Sequence, residues 1–193
     1  MAKAPLQAEA FEGRRVLVGV TGGIAAYKTC HVVSRLVQAG AEVTVLMTES
    51  AARFVGPETF RALSGRPVFT SPWDTADGQD VQHVDLARSA DAAVVAPATM
   101  NCLGKLAHGL CDDAVTVALA AVDRATTPVL LAPAMNAAMW AQPSTRRNVE
   151  RLVADGFTVV GPGEGWQACR SEGAGRMAEP DEVLAALARA VRR

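Results

Sequence analysis

The stretch Arg15-Val-Leu-Val-Gly-Val-Thr-Gly-Gly-Ile-Ala-Ala-Tyr-Lys28 decides the fold of this chain. Its first part, residues 16–20, is a short apolar run that predicts a strand buried on both faces, as in a parallel sheet. Gly22 and Gly23 then predict a sharp turn, and apolar residues recurring from Ile24 onward predict a helix. A strand, a glycine turn and a helix start form a candidate anion site, because backbone N–H groups point outward there and the helix dipole favours negative charge.

This glycine turn does not match the common dinucleotide and triphosphate motifs. The glycines at 19, 22 and 23 lack the G-x-G-x-x-G spacing, and no Gly-Lys-Ser/Thr follows them. The missing motif argues against a nicotinamide-dependent oxidoreductase. From the residues alone, a site for a single phosphate, as on a mononucleotide, and a turn without a ligand are equally good interpretations.

The rest of the chain alternates between short apolar runs and helical patterns. Further strands are predicted at 41–47, 65–69, 91–97, 127–133 and 157–160, and helices at 51–55, 57–63, 83–88, 98–108, 112–122, 143–154 and 180–193. This alternation predicts one domain over residues 15–193 with a doubly wound, Rossmann-like (flavodoxin-like) three-layer α/β/α fold and a mostly parallel six-stranded sheet. We expect residues 1–14 to form a flexible N-terminal arm and residues 70–82 a surface loop.

The glycine-rich segment, residues 161–179, has no clear periodicity. Its glycines at 161, 163, 165, 173 and 175 predict a long irregular connection. Such segments inside a compact domain are functional lids or unstructured links. Because the segment contains Cys169, we favour an active-site lid over the strand ends.

Composition and charge limit the classes of function. Half of the 193 residues are hydrophobic and the net charge is −1, which argues against a nucleic-acid surface or a basic membrane patch. The longest apolar stretch is far shorter than the ~18 residues of a membrane span. The four cysteines form no C-x-x-C pair, so we expect neither a metal site nor a disulfide framework. A soluble, cytoplasmic protein is expected.

Four blocks of this sequence resemble one family, the homo-oligomeric flavin-containing cysteine decarboxylases. The similarity covers roughly residues 15–180, and its most specific part is the third block. The blocks are Thr21-Gly-Gly-Ile-Ala-Ala-Tyr-Lys28, His83 with Ala96-Pro-Ala-Thr99, Pro133-Ala-Met-Asn-Ala-Ala-Met-Trp140, and Ala168-Cys169 with Gly173-Ala-Gly-Arg-Met177.

The resemblance implies FMN as cofactor and a homotrimer, or an assembly of trimers, with the flavin between subunits. It implies His83 and Cys169 as catalytic residues, and Asn136 and Met139 as contacts of the substrate. The implied cofactor contacts are Gly22, Gly23, Ile24, Thr48, Thr99, Met100, Asn101, Cys102 and Ala134. Local sequence leaves a second interpretation open for Thr48 and Asn136, which are also good N-caps for the helices that follow them.

The implied reaction is FMN-dependent decarboxylation of 4′-phosphopantothenoylcysteine to 4′-phosphopantetheine in coenzyme A biosynthesis. Oxidation of the thiol-bearing carbon to a thioaldehyde creates an electron sink, and loss of CO2 then gives an ene-thiolate. His83 would transfer protons, because an imidazole can both take up and release a proton near neutral pH. Asn136 would hold the carboxylate without a charge that opposes its loss. Cys169 would protonate the ene-thiolate.

Two other functions remain open from the sequence. One is a peptidyl-cysteine decarboxylase that acts on the C-terminus of a precursor peptide, and the other is a non-catalytic flavin-binding regulatory protein. The sequence also departs from the family pattern: Gly23 stands where serine is frequent, and Gln167 and Arg170 stand where leucine and glycine are usual.

Overall fold

A computed structural model describes residues 8–74 and 82–192, and shows one six-stranded parallel sheet. The strands are β1 Arg15–Val20, β2 Glu42–Met47, β3 Val68–Phe69, β4 Ala92–Ala98, β5 Val129–Pro133 and β6 Thr158–Val159. They are arranged in the order β3-β2-β1-β4-β5-β6, and each neighbouring pair is parallel. This is the Rossmann order of a doubly wound fold, which confirms the predicted class. The third and sixth strands are shorter than predicted, and both lie at sheet edges.

Helices cover both faces of the sheet. They are α1 Ala26–Gln38, α2 Glu49–Ala52, α3 Pro57–Ser64, α4 Gln82–Ser89, α5 Met100–His108, α6 Ala114–Ala120, α7 Ala137–Ala141, α8 Pro143–Ala154 and α9 Pro180–Ala190. One hydrophobic cluster joins the sheet to α1, α3 and α9, and a second joins the opposite face to α4, α5, α6 and α8. The result is three layers.

The middle strands show why the chain folds this way. All seven residues of β4 are buried, and neighbours along the strand face opposite clusters: Val94 packs in the first and Val95 in the second. A strand covered on both faces needs a continuous apolar run, which is the pattern that the sequence carries.

The glycine-rich segment contains an antiparallel hairpin instead of an irregular connection. Its strands are β7 Gly163–Trp166 and β8 Glu172–Arg176. The backbone N–H of Gln167 donates to the carbonyl of Ser171 at 2.8 Å, and that of Arg170 donates to the carbonyl of Gln167 at 2.9 Å, which closes a three-residue loop. Arg170 has φ 63°, the left-handed conformation that the third position of such loops requires. Frequent glycines hid these strands from sequence patterns, since glycine disfavours strands.

The predicted flexible arm requires a correction. Residues 1–7 lie outside the described residues, but residues 8–10 form a 3-10 turn and Phe11 is fully buried in the cluster that includes α1 and α9. The N–H of Gly13 also donates to the carbonyl of Gly40 at 2.9 Å. Residues 8–14 are therefore part of the folded domain, and the burial of the Phe11 side chain anchors them to it.

The predicted surface loop at residues 70–82 lies largely outside the described residues. Its described beginning is ordered by Asp74, whose Oδ2 accepts hydrogen bonds from the N–H groups of Thr70 at 2.6 Å and Ser71 at 2.9 Å. Within the described ranges, no helix is both long and apolar enough to cross a membrane.

We expect Phe11→Ala to destabilise the protein by about 3–5 kcal/mol, because it leaves a cavity in a close-packed core. Chemical denaturation followed by circular dichroism measures this. Phe54→Ala is the matched control, since Phe54 is 50% exposed. Equal midpoints for the two variants would show that residues 8–14 do not contribute to the core.

Candidate active site

A cavity of about 1160 Å³ lies at the carboxyl ends of the strands. It opens where β1 and β4 are neighbours, which is the point at which the strand order reverses direction along the sheet. The loops that follow these two strands diverge to opposite faces, and ligands of doubly wound folds bind in the crevice that they leave.

Thr21 connects the two strands at this crevice. Its side chain is buried, and its hydroxyl donates to the carbonyl of Pro97 at 2.6 Å. The same oxygen accepts the backbone N–H of Thr99 at 3.1 Å. The ends of β1 and β4 are therefore held in a fixed relation directly beneath the cavity.

The glycine turn presents backbone donors to the cavity. Helix α1 begins at Ala26, and its N-cap Ala25 makes no side-chain cap hydrogen bond. In the described part of the chain, the N–H groups of Gly22, Gly23 and Ile24 donate no hydrogen bond. Unpaired donors at a helix start are a site for an anion.

The two glycines of the turn differ in the space around them. A Cβ on Gly22 would collide with the Cβ of Ser50 at the start of α2, so the turn packs tightly there. A Cβ on Gly23 would have Thr99 Cγ2 as its nearest neighbour at 3.5 Å, an ordinary contact. Position 23 therefore has room for the serine that is frequent in the resembling family.

Three predicted site residues act as N-caps at the cavity. The side chains of Thr48 and Thr99 accept the N–H groups of Ala51 at 3.2 Å and Cys102 at 3.4 Å. Asn136 Oδ1 accepts the N–H of Met139 at 2.8 Å. The capping interpretation is thus correct for Thr48 and Asn136. The cap also fixes the orientation of the Asn136 amide, and it leaves the Nδ2 protons free to donate to a ligand in the cavity.

Cys102 has a thiol of low reactivity. Burial raises the pKa of its thiol to about 12, and the carboxylate of Asp113 adds to that effect. Lys105 lies nearby, 2.6 Å from an oxygen of Asp112 and 2.9 Å from one of Asp113. A thiol with so high a pKa is neutral at physiological pH, which disfavours a role as a nucleophile.

The hairpin forms one wall of the cavity. Gln167, Ala168 and Cys169 line it, and Cys169 is exposed, with its Sγ 3.0 Å from Ser171 Oγ. The hairpin is docked through its second strand, because Met135 N–H donates to the carbonyl of Gly175 at 2.9 Å. A Cβ on Gly175 would collide with the Met135 carbonyl oxygen, so glycine permits this close approach.

An ion pair secures the chain just beyond the hairpin. The buried Lys28 ammonium donates to Glu179 Oε1 at 2.9 Å and to the Met177 carbonyl at 3.2 Å. Arg176 reaches the same Glu179 oxygen at 2.7 Å. These contacts, mainly the hydrogen bond from Lys28, lower the pKa of the Glu179 carboxyl. The first helix and the end of the hairpin are tied together in this way.

His83 lies elsewhere. It is half-buried in α4 and lines a much smaller hollow of about 10 Å³, which shares Ser71 and Pro72 with the large cavity. It is not among the residues that line the large cavity. Within one described chain, His83 is therefore close to the candidate site but not part of it.

Comparison with known proteins decides the family. A family model described as Flavoprotein matches residues 6–192. The chain belongs to the Flavoprotein family. One curated relative is the coenzyme A biosynthesis bifunctional protein CoaBC of Bacillus subtilis, 48% identical over 171 residues, which are 89% of this chain and 41% of that protein. The chain thus spans about two fifths of the length of the curated relatives that it matches.

Solved structures support this flavoprotein assignment at the level of the fold. A mutant PPC decarboxylase complexed with pantothenoylaminoethenethiol aligns with a TM-score of 0.84 and 32% identity, covering 94% of this chain and 100% of that one. The FMN-dependent cysteine decarboxylase SpaF aligns with a TM-score of 0.79 and 32% identity, covering 93% and 98%.

Most of the predicted site residues line the cavity of this flavoprotein. It is lined by every predicted contact except His83: Gly22, Gly23, Ile24, Thr48, Thr99, Met100, Asn101, Cys102, Ala134, Asn136, Met139 and Cys169. Their roles stay predictions. Sequence reasoning did not single out Thr21, Lys28 or the contacts of Gln167. A lysine on the apolar side of a predicted helix was the available signal for Lys28.

We expect Gly22→Ala to weaken binding of FMN by roughly tenfold or more, because moving the turn would break a hydrogen bond that it is predicted to donate to the FMN phosphate. Gly23→Ser is the matched control and should bind FMN at least as tightly as the original protein. Quenching of flavin fluorescence during titration of the apoprotein measures both. Comparable losses in the two variants would mean that the crowding at Gly22 does not control the site.

Proposed function

We propose that this flavoprotein is an FMN-dependent carboxy-lyase that converts 4′-phosphopantothenoylcysteine to 4′-phosphopantetheine in coenzyme A biosynthesis. The observation that carries the proposal is the shared cavity, in which an anion site at the glycine turn, the amide of Asn136 and the thiol of Cys169 all face one space. The similarity to PPC decarboxylase and to CoaBC supports this choice of substrate. We also propose a cytoplasmic location, because the substrate is a small thiol and the four cysteines of the protein are all free thiols, as is typical of a reducing compartment.

The described residues suit FMN. The unpaired N–H groups of Gly22, Gly23 and Ile24 at the start of α1 would hold its phosphate. Thr99 and Cys102, at the start of α5 across the crevice, would contact its ring system. Bound FMN would supply the two-electron oxidation of the thiol-bearing carbon and the later return of those electrons. A cavity of about 1160 Å³ has room for both cofactor and substrate.

Asn136 would anchor the substrate carboxylate. Its Oδ1 is occupied as the cap of α7, so the side chain presents its Nδ2 protons and not an oxygen to an anionic group. A neutral donor orients the carboxylate but does not strengthen its hold with a charge. When the C–C bond breaks, CO2 leaves and the electron pair passes to the sulfur, giving the ene-thiolate. Weak ground-state binding of the departing group favours this step.

Cys169 would complete the reaction as a proton donor. Its exposed thiol stands in the hairpin loop on the cavity wall. Transfer of its proton to the substrate carbon, together with a hydride equivalent, gives the saturated thiol product. The overall reaction then requires no external oxidant or reductant, since the electrons removed in the first step return in the last.

His83 would act in the cavity of a second copy of the chain. Its position outside the large cavity supports this, as does the rim of that cavity, where large apolar side chains are exposed. Those side chains are Ile24 at 60%, Tyr27 at 54%, Met139 at 40% and Trp166 at 61% exposure. Apolar surface of this kind favours burial against a partner. A cyclic homotrimer, or an assembly of trimers, brings a neighbouring α4 to each cavity.

We expect the purified protein to be yellow, to release FMN on denaturation and to form phosphopantetheine from phosphopantothenoylcysteine. In Cys169→Ser, oxidation and CO2 loss should continue while the final protonation stalls, because a hydroxyl is a far weaker acid than a thiol. Mass spectrometry should then detect a product that is lighter than 4′-phosphopantetheine by two hydrogen atoms.

Other outcomes of that experiment decide between the remaining functions. Release of the lighter ene-thiol by the original protein, with turnover of peptides that end in cysteine, would favour the peptide-modifying enzyme. Bound FMN with no turnover of either substrate would favour the non-catalytic flavin-binding regulator. Normal reduced product from Cys169→Ser would remove Cys169 as proton donor.

Mixing two inactive variants tests the placement of His83. We expect His83→Asn and Asn136→Asp each to bind FMN but to lack decarboxylase activity. If His83 serves a neighbouring cavity, random reassembly of equal amounts should restore about a quarter of the activity, since one contact in four joins an intact cavity to an intact His83. Mixing without reassembly is the control, and no recovery after reassembly would place His83 in its own chain's site.

A further inference from the structure

Gln167 occupies an unusual place in the hairpin. Only 7% of this residue is exposed, although its side chain is a polar amide. It directly precedes the three-residue loop, residues 168–170, that carries Cys169. Buried amides are retained where their hydrogen-bonding groups find partners, so the contacts of this side chain indicate what it does.

The amide nitrogen of Gln167 closes the hairpin from inside. Nε2 donates to the carbonyls of Gly173 and Ala174, both at 3.2 Å. These carbonyls belong to β8, the strand that docks against Met135. Both protons of the amide are therefore used to hold the loop against the docked strand.

The amide oxygen of Gln167 connects two different parts of the cavity wall. Oε1 accepts the N–H of Ala137, in the first turn of α7, at 3.1 Å. It also accepts from the Cys169 thiol, with Sγ at 3.6 Å. One oxygen atom thus joins the residue that follows Asn136 to the thiol of Cys169.

We propose that Gln167 is a positioning residue that fixes the Cys169 thiol relative to Asn136. This inference rests on the proposed function, in which Asn136 holds the end of the substrate that loses CO2 and Cys169 delivers a proton to a carbon beside it. A shared acceptor sets the spacing of the two groups without touching the substrate. Ser171, whose Oγ is 3.0 Å from the same thiol, provides a second hydrogen-bonding contact to Sγ.

An apolar residue of the same length would fill the space but keep none of these contacts. Methionine is close to glutamine in shape, yet Gln167→Met loses both donated hydrogen bonds and the shared acceptor. Gln167→Glu keeps an acceptor for Ala137 and Cys169 and loses the donors to the two carbonyls. The two variants therefore separate thiol positioning from closure of the hairpin. Gln38→Met, on the exposed end of α1, is the matched control.

The first readout needs no turnover. Cys169 in the FMN-loaded protein is alkylated with iodoacetamide and followed by peptide mass spectrometry, with the exposed Cys111 of the same molecule as internal reference. We expect Gln167→Met to raise the ratio of Cys169 to Cys111 labelling at least about threefold, because Sγ is no longer held by Oε1. Gln167→Glu and Gln38→Met should stay near the original ratio.

The second readout is the partition between products in a single turnover. We expect Gln167→Met to release CO2 at nearly the original rate but to raise the share of the unreduced ene-thiol by about tenfold. The reason is that displacement of the proton donor by a fraction of an ångström slows the final protonation and not the loss of CO2. Gln167→Glu should restore most of the normal partition. An equal fall in CO2 release and in reduced product would overturn the proposal, since it would indicate general loss of the cavity wall.

The two readouts also separate failure of this inference from failure of the proposed function. Unchanged labelling and unchanged partition in Gln167→Met would overturn the positioning role while leaving decarboxylation intact. Altered labelling in a protein that decarboxylates neither substrate would support the link between Gln167 and Cys169 and reject the reaction.

Discussion

The buried hydroxyl of Thr21 is the contact on which the site depends. Two parallel strands lead their chains to opposite faces of the sheet at this point, and nothing in the sheet ladder beyond their ends holds them together. By donating to the Pro97 carbonyl and accepting from the Thr99 N–H, Thr21 replaces the missing ladder bonds with side-chain bonds. Buried hydrogen bonds that are fully satisfied confer rigidity, so the glycine turn and the start of α5 face each other at a set distance.

Many of the polar groups that face the cavity come from the first residues of helices, whereas the sheet and helices that surround it are packed through apolar side chains. Helices α1, α2, α5 and α7 all begin at its edge, as the alternation of strands and helices requires. Side chains cap three of these starts, whereas α1 begins without a side-chain cap. The uncapped start is the one with donors to spare for a phosphate, and the capped starts hold their side chains in position. Capping and binding are therefore parts of the same arrangement.

The sequence was sufficient for the sheet and for many, but not all, of the residues that line the cavity. Continuous apolar runs such as Val16 to Val20 predict buried parallel strands, and strand ends in such a sheet converge, which brings Thr48, Thr99 and Asn136 together. The hairpin was missed because its strands are built on glycines, whose use depends on close approach to Met135 and not on periodicity. The burial of Phe11 was missed because one aromatic residue has no pattern. The contacts of Gln167 depend on pairing across the hairpin, which one sequence does not encode locally.

The ion pair beyond the hairpin determines which conditions can loosen this wall of the cavity. The Glu179 carboxyl has a lowered pKa, so its contribution is present above the ordinary carboxyl range and is lost only as the pH falls through that lowered value. The Glu179 side chain is also 51% exposed, and the attraction between it and Lys28 is open to screening by dissolved ions. The strength of this ion pair should therefore respond to ionic strength and hardly at all to proton concentration in the neutral range. A change in salt concentration would therefore weaken this wall of the cavity more readily than a change in pH near neutrality.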